Sequence, residues 1–205
     1  MLKSNYELNV FINCPFDEDY KGLFDALIFT IVCCGFIPRS AKENMDTSVV
    51  RIDKICQLIE ESKYSIHDLS RVELDYYNKL PRFNMPMELG IVIGSKRFGN
   101  KLNKSKEYLV LDSSKHNYQK STSDISGQDI LSHNNEIKEI IKHVRNWLSA
   151  KNLNEKILSS TPLYKKYIEF NNALPSLSIE MKIEVNDITY LEYVDLVKQW
   201  LSLSK

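Results

Sequence analysis

The chain has 205 residues, of which 43% are hydrophobic and 26% charged, values ordinary for a globular protein with a sizeable core. Lysine and arginine total 27, and aspartate and glutamate also total 27, so the formal net charge is zero. This balance argues against a nucleic acid held mainly through its phosphates, and no apolar run reaches the ~18 residues that a membrane span needs. We therefore expect neither a nucleic acid nor a membrane as partner.

Apolar patterning in the first half of the chain alternates between strand-like and helix-like segments. Short apolar runs predict four strands, at residues 7–13, 36–41, 63–70 and 106–113. Amphipathic or broadly apolar segments with cap signals predict the helices between them, at 20–35, 48–62 and 85–96. Because strands and helices alternate, we expect an α/β protein with a doubly wound parallel sheet.

The remaining segments suggest how the chain is organised. Residues 71–84 form a connection longer than the roughly 2–6 residues usual between strand and helix, which is typical of a lid, a binding loop or a disordered segment. A strong amphipathic helix is expected at 134–150, and the chain beyond it reads as mostly helical. We therefore predict an α/β domain over residues 1–150 and a helical C-terminal extension, packed on it, over 151–205.

The cysteines indicate a reducing compartment. Cys14, Cys33, Cys34 and Cys56 form no Cys-x-x-Cys pair, and no histidine lies at a metal-binding spacing. Three of them lie in apolar stretches, as buried thiols do. Since the N-terminus also lacks the features of a signal peptide, we expect a cytoplasmic protein without a metal site.

Three common catalytic motifs are missing from the sequence. It contains neither a G-x-G-x-x-G turn nor a Walker loop, so dinucleotide oxidoreduction and P-loop hydrolysis lose their main support. It contains no G-x-S-x-G nucleophile elbow either. Candidate chemistry must therefore come from side chains that the fold itself brings together.

Ligands of doubly wound sheets bind beyond the carboxyl ends of the strands, so residues that follow each strand are candidates for a site. Arg39 after the second strand and Arg71 after the third can hold phosphate groups, because guanidinium forks match phosphate oxygens. Asp68 and Ser70 either bind a ligand or close the third strand through side-chain turns. The binding residues predicted from these strand ends are Asn13, Pro15, Phe16, Arg39, Ser70 and Arg71.

Glu88 is the single carboxylate of the segment FNMPMELGIVIGSK, and two interpretations compete for it. If Asn84 caps the helix and Pro86 lies near its start, Glu88 falls in the first turn, where the positive helix end favours an ionised carboxylate. Glu88 is then either a helix-stabilising acid or a catalytic carboxylate in a pocket. The residues directly ahead of it are also predicted to bind substrate, with simple packing as the alternative; they are Phe83, Asn84 and Met85.

The segments MPMELGIVIGSKRFG and KEYLVLD, together with VFINCPFDEDY at the first strand, resemble two related groups of proteins. These are the nucleoside 2-deoxyribosyltransferase-like superfamily and the Toll/interleukin-receptor (TIR)-like domains, and the similarity covers roughly residues 7–115. Both groups place a glutamate at the edge of a flavodoxin-like sheet. The resemblance implies that Glu88 acts at the anomeric carbon of a ribosyl or deoxyribosyl ring. It also implies that Asp68 binds sugar hydroxyls and that Pro15 and Phe16 line the pocket.

This resemblance implies an enzyme that acts on the N-glycosidic bond of NAD or a related nucleotide, as TIR-like bacterial defence proteins do. NAD would be the substrate, and no cofactor is expected. Arg39 and Arg71 favour a nucleotide over a bare nucleoside. Because TIR-like enzymes often act as assemblies, we expect a homo-oligomer or a complex with a partner protein.

Two alternatives stay open. One is a nucleoside 2-deoxyribosyltransferase or nucleoside hydrolase, and the other is a TIR-like module that senses a nucleotide or assembles without catalysis. The deoxyribosyltransferases carry a further aspartate shortly before the glutamate, where this chain has LPRFN, with Arg82 and no acid. Hydrolysis, cyclisation and transfer therefore all remain open outcomes.

Overall fold

Five parallel strands form one sheet in a computed structural model, which describes residues 5–43, 46–71, 82–120, 122–125, 127–151 and 157–203. The strands are β1 (Asn9–Asn13), β2 (Ile37–Ser40), β3 (Tyr64–Asp68), β4 (Glu107–Asp112) and β5 (Leu131–Ser132). Their order, β2-β1-β3-β4-β5, is that of flavodoxin-like folds. The predicted doubly wound α/β fold is thereby confirmed.

Helices cover both faces of this sheet. Within the described ranges they are α1 (Lys21–Cys33), α2 (Arg51–Glu60), α3 (Asn84–Phe98), α4 (Lys101–Lys104), α5 (Ile137–Ser149), α6 (Ser160–Glu180) and α7 (Tyr190–Leu203). None of them is long and apolar enough to cross a membrane. Of the predicted long connection at 71–84, residues 72–81 lie outside the described ranges.

The strand residues alternate between two apolar layers, as the pleat of a strand requires. Val10 and Ile12 of β1 join the larger core with α1 and α5, whereas Phe11 joins α2 and α3 on the opposite face. Because helices cover both faces of the sheet, β1 and β3 are buried along their whole length, and β3 is buried although it contains Ser65, His67 and Asp68.

Helix α1 is apolar on nearly every side because other elements of the fold pack against both of its sides. One side packs on the sheet, and the other contacts α6 and α7. Phe29 of α1 stacks on Phe170 of α6 with ring centroids 5.4 Å apart, and the ring of Trp200 in α7 lies 6.1 Å away. The C-terminal helices therefore share one core with the α/β sheet.

Sequence patterning does not predict the fifth strand. Leu131 and Ser132 pair with Leu111 and Asp112 of β4 over two residues only. Such a short strand, in a polar stretch, carries no periodic signal of its own. Its position matters because the next residue, His133, lies at the same edge of the sheet as the candidate site.

Candidate active site

The strand order places a crevice at the carboxyl ends of β1 and β3, where the sheet changes its winding direction. Asn13, the last residue of β1, pairs in register with His67 of β3. Beside this point, between the loop after β1 and the starts of α2 and α3, lies a cavity of about 130 Å³, which we call the Glu88 pocket. Its lining consists of Asn13, Cys14, Pro15, Phe16, Arg51, Arg82, Asn84, Met85 and Glu88. Six predicted site residues are thus brought together: Asn13, Pro15, Phe16, Asn84, Met85 and Glu88.

Glu88 is buried and has no partner among the described residues. Its side chain is 5% exposed and makes neither a hydrogen bond nor an ion pair within the part of the chain that the structure describes. Burial raises the pKa of Glu88 to about 7, and the positive charge of Arg51 opposes that rise. A carboxyl that takes up and loses its proton near neutral pH is a frequent property of catalytic groups.

The expectation that the helix end keeps Glu88 ionised is wrong. Phe83, not Asn84, occupies the N-cap position of α3, and no side chain caps it. Asn84 is therefore the first helical residue, and Glu88 falls in the second turn, where the helix dipole is weaker. Loss of hydration dominates instead, so the pKa of this carboxyl rises.

The location of Glu88 is set by Asn13. The side-chain amide of Asn13 donates to the main-chain oxygen of Met85 and to Nδ1 of His67, each at 2.9 Å. Burial lowers the pKa of His67 to about 3, so its ring is neutral, and its Nε2 donates to Ser65 Oγ at 2.9 Å. Asn13, predicted as a substrate ligand, thus holds the first turn of α3 against the ends of β1 and β3.

Two arginines border the Glu88 pocket. Arg51 is the first residue of α2 and makes no ion pair with any described residue. A cation at a helix N-terminus opposes the helix dipole, so helix stability does not account for this residue. Arg82 is 49% exposed, and its Nη1 lies 3.3 Å from Asp17 Oδ2. Sequence reasoning missed Arg51 because it begins a helix and does not follow a strand; the signal was an arginine at a position where helices favour acids.

Asp68 is fully buried at the end of β3 and does not line the Glu88 pocket. Its carboxylate accepts from Tyr20 Oη at 2.5 Å, from His133 Nε2 at 2.9 Å, from Ser70 N at 2.9 Å and from Ser70 Oγ. Burial raises the pKa of Asp68, but the hydrogen bonds from His133, Ser70 and Tyr20 outweigh it, so the pKa lies below its ordinary value. With four hydrogen bonds accepted, Asp68 joins three segments of the chain: the end of β3, the residue before α1 and the residue after β5.

Ser70, His133 and Asp68 together do not form a hydrolytic triad. Nδ1 of His133 accepts the main-chain N–H of Asn135 at 3.0 Å, so the ring proton sits on Nε2. That same Nε2 contacts both Ser70 Oγ, at 3.0 Å, and Asp68 Oδ2. A triad needs the serine and the acid on opposite ring nitrogens, so this group is a structural cross-link.

The two predicted phosphate-binding arginines are held by carboxylates. Arg71 pairs with Asp17 through two hydrogen bonds of 2.9 and 3.1 Å, which hold the pKa of Asp17 below its ordinary value. Arg39 makes a forked contact with Glu43 and a further one, of 3.0 Å, with Glu61. Neither of these arginines lines the Glu88 pocket. Two other predicted binding residues are also absent from its lining: Ser70 and Phe83, which is 60% exposed.

Comparisons with protein-family models, with curated proteins and with solved structures find no match to this chain. The fold and the site therefore describe the protein: it is a flavodoxin-like α/β protein with a buried carboxyl at the point where the sheet reverses its winding. No group of three or more histidine, cysteine, aspartate or glutamate side chains in the described ranges is arranged to hold a metal ion.

Proposed function

We propose that this protein acts on the N-glycosidic bond of NAD or a related nucleotide, with Glu88 as the catalytic carboxylate. The observation that carries this proposal is an acid with no partner among the described residues and a pKa of about 7, at the carboxyl edge of β1. A structural acid in a core would be paired or hydrogen-bonded, as Asp68 is. Glu88 instead faces a cavity that is open to a ligand.

The chemistry follows from the carboxyl and its surroundings. Ionised Glu88 next to the anomeric carbon stabilises the positive charge that develops on the ribosyl ring as the base departs, or attacks that carbon directly. Low hydration strengthens this interaction, since few waters screen it. With a pKa of about 7, roughly half of the molecules carry the ionised form at neutral pH.

Arg51 and Arg82 support a nucleotide as substrate. Both border the Glu88 pocket, and Arg51 has no carboxylate partner among the described residues. Guanidinium groups bind phosphate oxygens in a forked geometry, which a bare nucleoside would not use. These two residues take the role that strand-end positions predicted for Arg39 and Arg71. NAD is then a substrate, and the proposal needs no cofactor.

We also propose that the protein acts in the cytoplasm. All four cysteines are free thiols, which suits a reducing cytoplasm. Assembly into a homo-oligomer, or with a partner protein, is proposed on the resemblance to TIR-like domains alone.

The test is incubation of the purified protein with NAD, over a range of protein concentrations, followed by chromatography for released nicotinamide. Wild type should release it and Glu88→Gln should not. Equal release by both proteins would refute the role of Glu88, and no release at any concentration would refute NAD cleavage. Base exchange between a deoxynucleoside and a second free base would instead support a deoxyribosyltransferase. Tight NAD binding without turnover would support a sensing module.

A further inference from the structure

A second cavity lies on the other side of the loop that follows β1. It measures about 210 Å³ and is bounded by this loop, by α1 and by the segment that leads into α7. We call it the aromatic cleft, and its lining includes Phe16, Phe24, Lys42 and Tyr190. Phe16 and Pro15 line both this cleft and the Glu88 pocket, so the two cavities are neighbours with a common wall.

Three rings form one wall of the cleft. Phe16 meets Phe24 edge to face with centroids 5.3 Å apart, and Phe24 stacks on Tyr190 at 6.0 Å. Tyr190 is only 7% exposed, and its hydroxyl has no hydrogen-bond partner in the described part of the chain. The hydroxyl oxygen itself is inaccessible to solvent, so the cleft offers a ligand the ring of Tyr190 and not its hydroxyl. A wall of rings favours a flat aromatic ligand.

Lys42 places a positively charged ammonium group at this cleft. Its Nζ lies 4.9 Å from the ring centre of Phe16 and 5.4 Å from that of Phe24. No carboxylate of the described residues lies within ion-pair distance of this ammonium. Of the acids that line the cleft, Asp25 pairs with Lys21 at 2.7 Å and Asp17 pairs with two arginines, whereas the exposed Glu18 makes no ion pair with a described residue.

We propose that the aromatic cleft binds a small planar aromatic compound that carries one carboxylate. The ring would lie against the phenyl wall, and the carboxylate would accept from the Lys42 ammonium. Of the two ammonium groups that line the cleft, Lys21 pairs with Asp25, which leaves Lys42 as the cation without an ion pair to a described residue. One such charge suits one negative charge better than the two of a phosphate, and no guanidinium group is among the described lining residues. This site lies beyond the Glu88 chemistry and does not depend on it.

The test uses 2-naphthoate and its neutral isostere 2-naphthamide as probes, with the full chain, in calorimetry and in amide chemical-shift mapping. Naphthoate should bind, move the amide signals of Phe16, Lys42 and Thr189, and bind more tightly than naphthamide. Lys42→Gln should weaken naphthoate roughly tenfold and leave naphthamide unchanged, since one charge-assisted hydrogen bond is lost. Lys42→Arg should retain most of the affinity.

Lys198→Gln is the matched control, because Lys198 lies on α7 and, among the described residues, forms its ion pair with Asp195 at the surface. It should bind naphthoate as wild type does. Equal affinity for the acid and the amide would overturn the proposal, and so would no binding by either probe. Shifts confined to Asn84, Met85 and Glu88 would overturn it as well, because they would place the probe in the other pocket.

Discussion

Asn13 holds the main-chain oxygen of Met85 at 2.9 Å, so the end of the central strand fixes the first turn of α3. Glu88 lies one helical turn further along, and its place in the pocket depends on that bond. We expect Asn13→Ala to lower kcat by roughly tenfold or more with a smaller change in KM, because a displaced carboxylate misses the reacting carbon. Stability should fall by about 1–3 kcal/mol in urea unfolding, since the mutation removes two buried hydrogen bonds. A folded variant with unchanged kcat would show that Asn13 does not position Glu88.

Activity should rise with pH through about 7, because the ionised form of Glu88 is the reactive one. Arg51 lowers the pKa of Glu88, so Arg51→Gln should move the midpoint of the kcat profile to higher pH. Arg97→Gln, at the exposed end of α3, serves as the control and should leave the midpoint unchanged. If the midpoint of the kcat profile does not change in Arg51→Gln, the ionisation seen in the profile belongs to a group other than Glu88.

Ionisation of Glu88, which should increase activity as pH rises, should at the same time decrease the stability of the folded protein. The pKa of Glu88 is about 7 in the folded chain and 4.5 for an ordinary glutamate, so the folded state prefers the protonated form. The free energy of unfolding should therefore fall as pH rises from about 4.5 to 7 and stay reduced above that range. Glu88→Gln should remove this loss and stabilise the protein by about 2 kcal/mol at pH 8, with little effect at pH 4. Glu180→Gln, in the last turn of α6, provides the exposed comparison.

Asp68→Asn should destabilise the protein by roughly 2–4 kcal/mol, because an amide group would face donors from Tyr20 and His133. The pKa of Asp68 is lowered in the folded state, so its contribution is present above the ordinary aspartate value, near pH 4, and is lost as pH falls below it. Urea unfolding of wild type and variant at pH 7 and pH 3 checks this. The difference between them should shrink at the lower pH; a constant difference would mean that charge is not its cause.

Patterning predicts the first four strands and the helices between them because each buries an apolar face with its own period. It also points to Glu88, since a lone acid inside an apolar segment stands out. Patterning cannot show that Glu43 and Asp17 bind Arg39 and Arg71, because these ion pairs depend on loop conformation. Nor does it predict the contact of Asp68 with His133, which requires β5, a strand of two residues.

Because α1 packs on the sheet with one side and on α6 and α7 with the other, the chain cannot lose those two helices without exposing α1. Phe29 packs against the rings of Phe170 and Trp200, both of which lie beyond residue 150. A chain cut at that position would turn one whole side of α1 into an exposed apolar surface, and such surfaces promote aggregation. Cutting there would also remove Tyr190 and with it part of the wall of the aromatic cleft. Studies of the α/β half should therefore retain α6 and α7, whichever activity is measured.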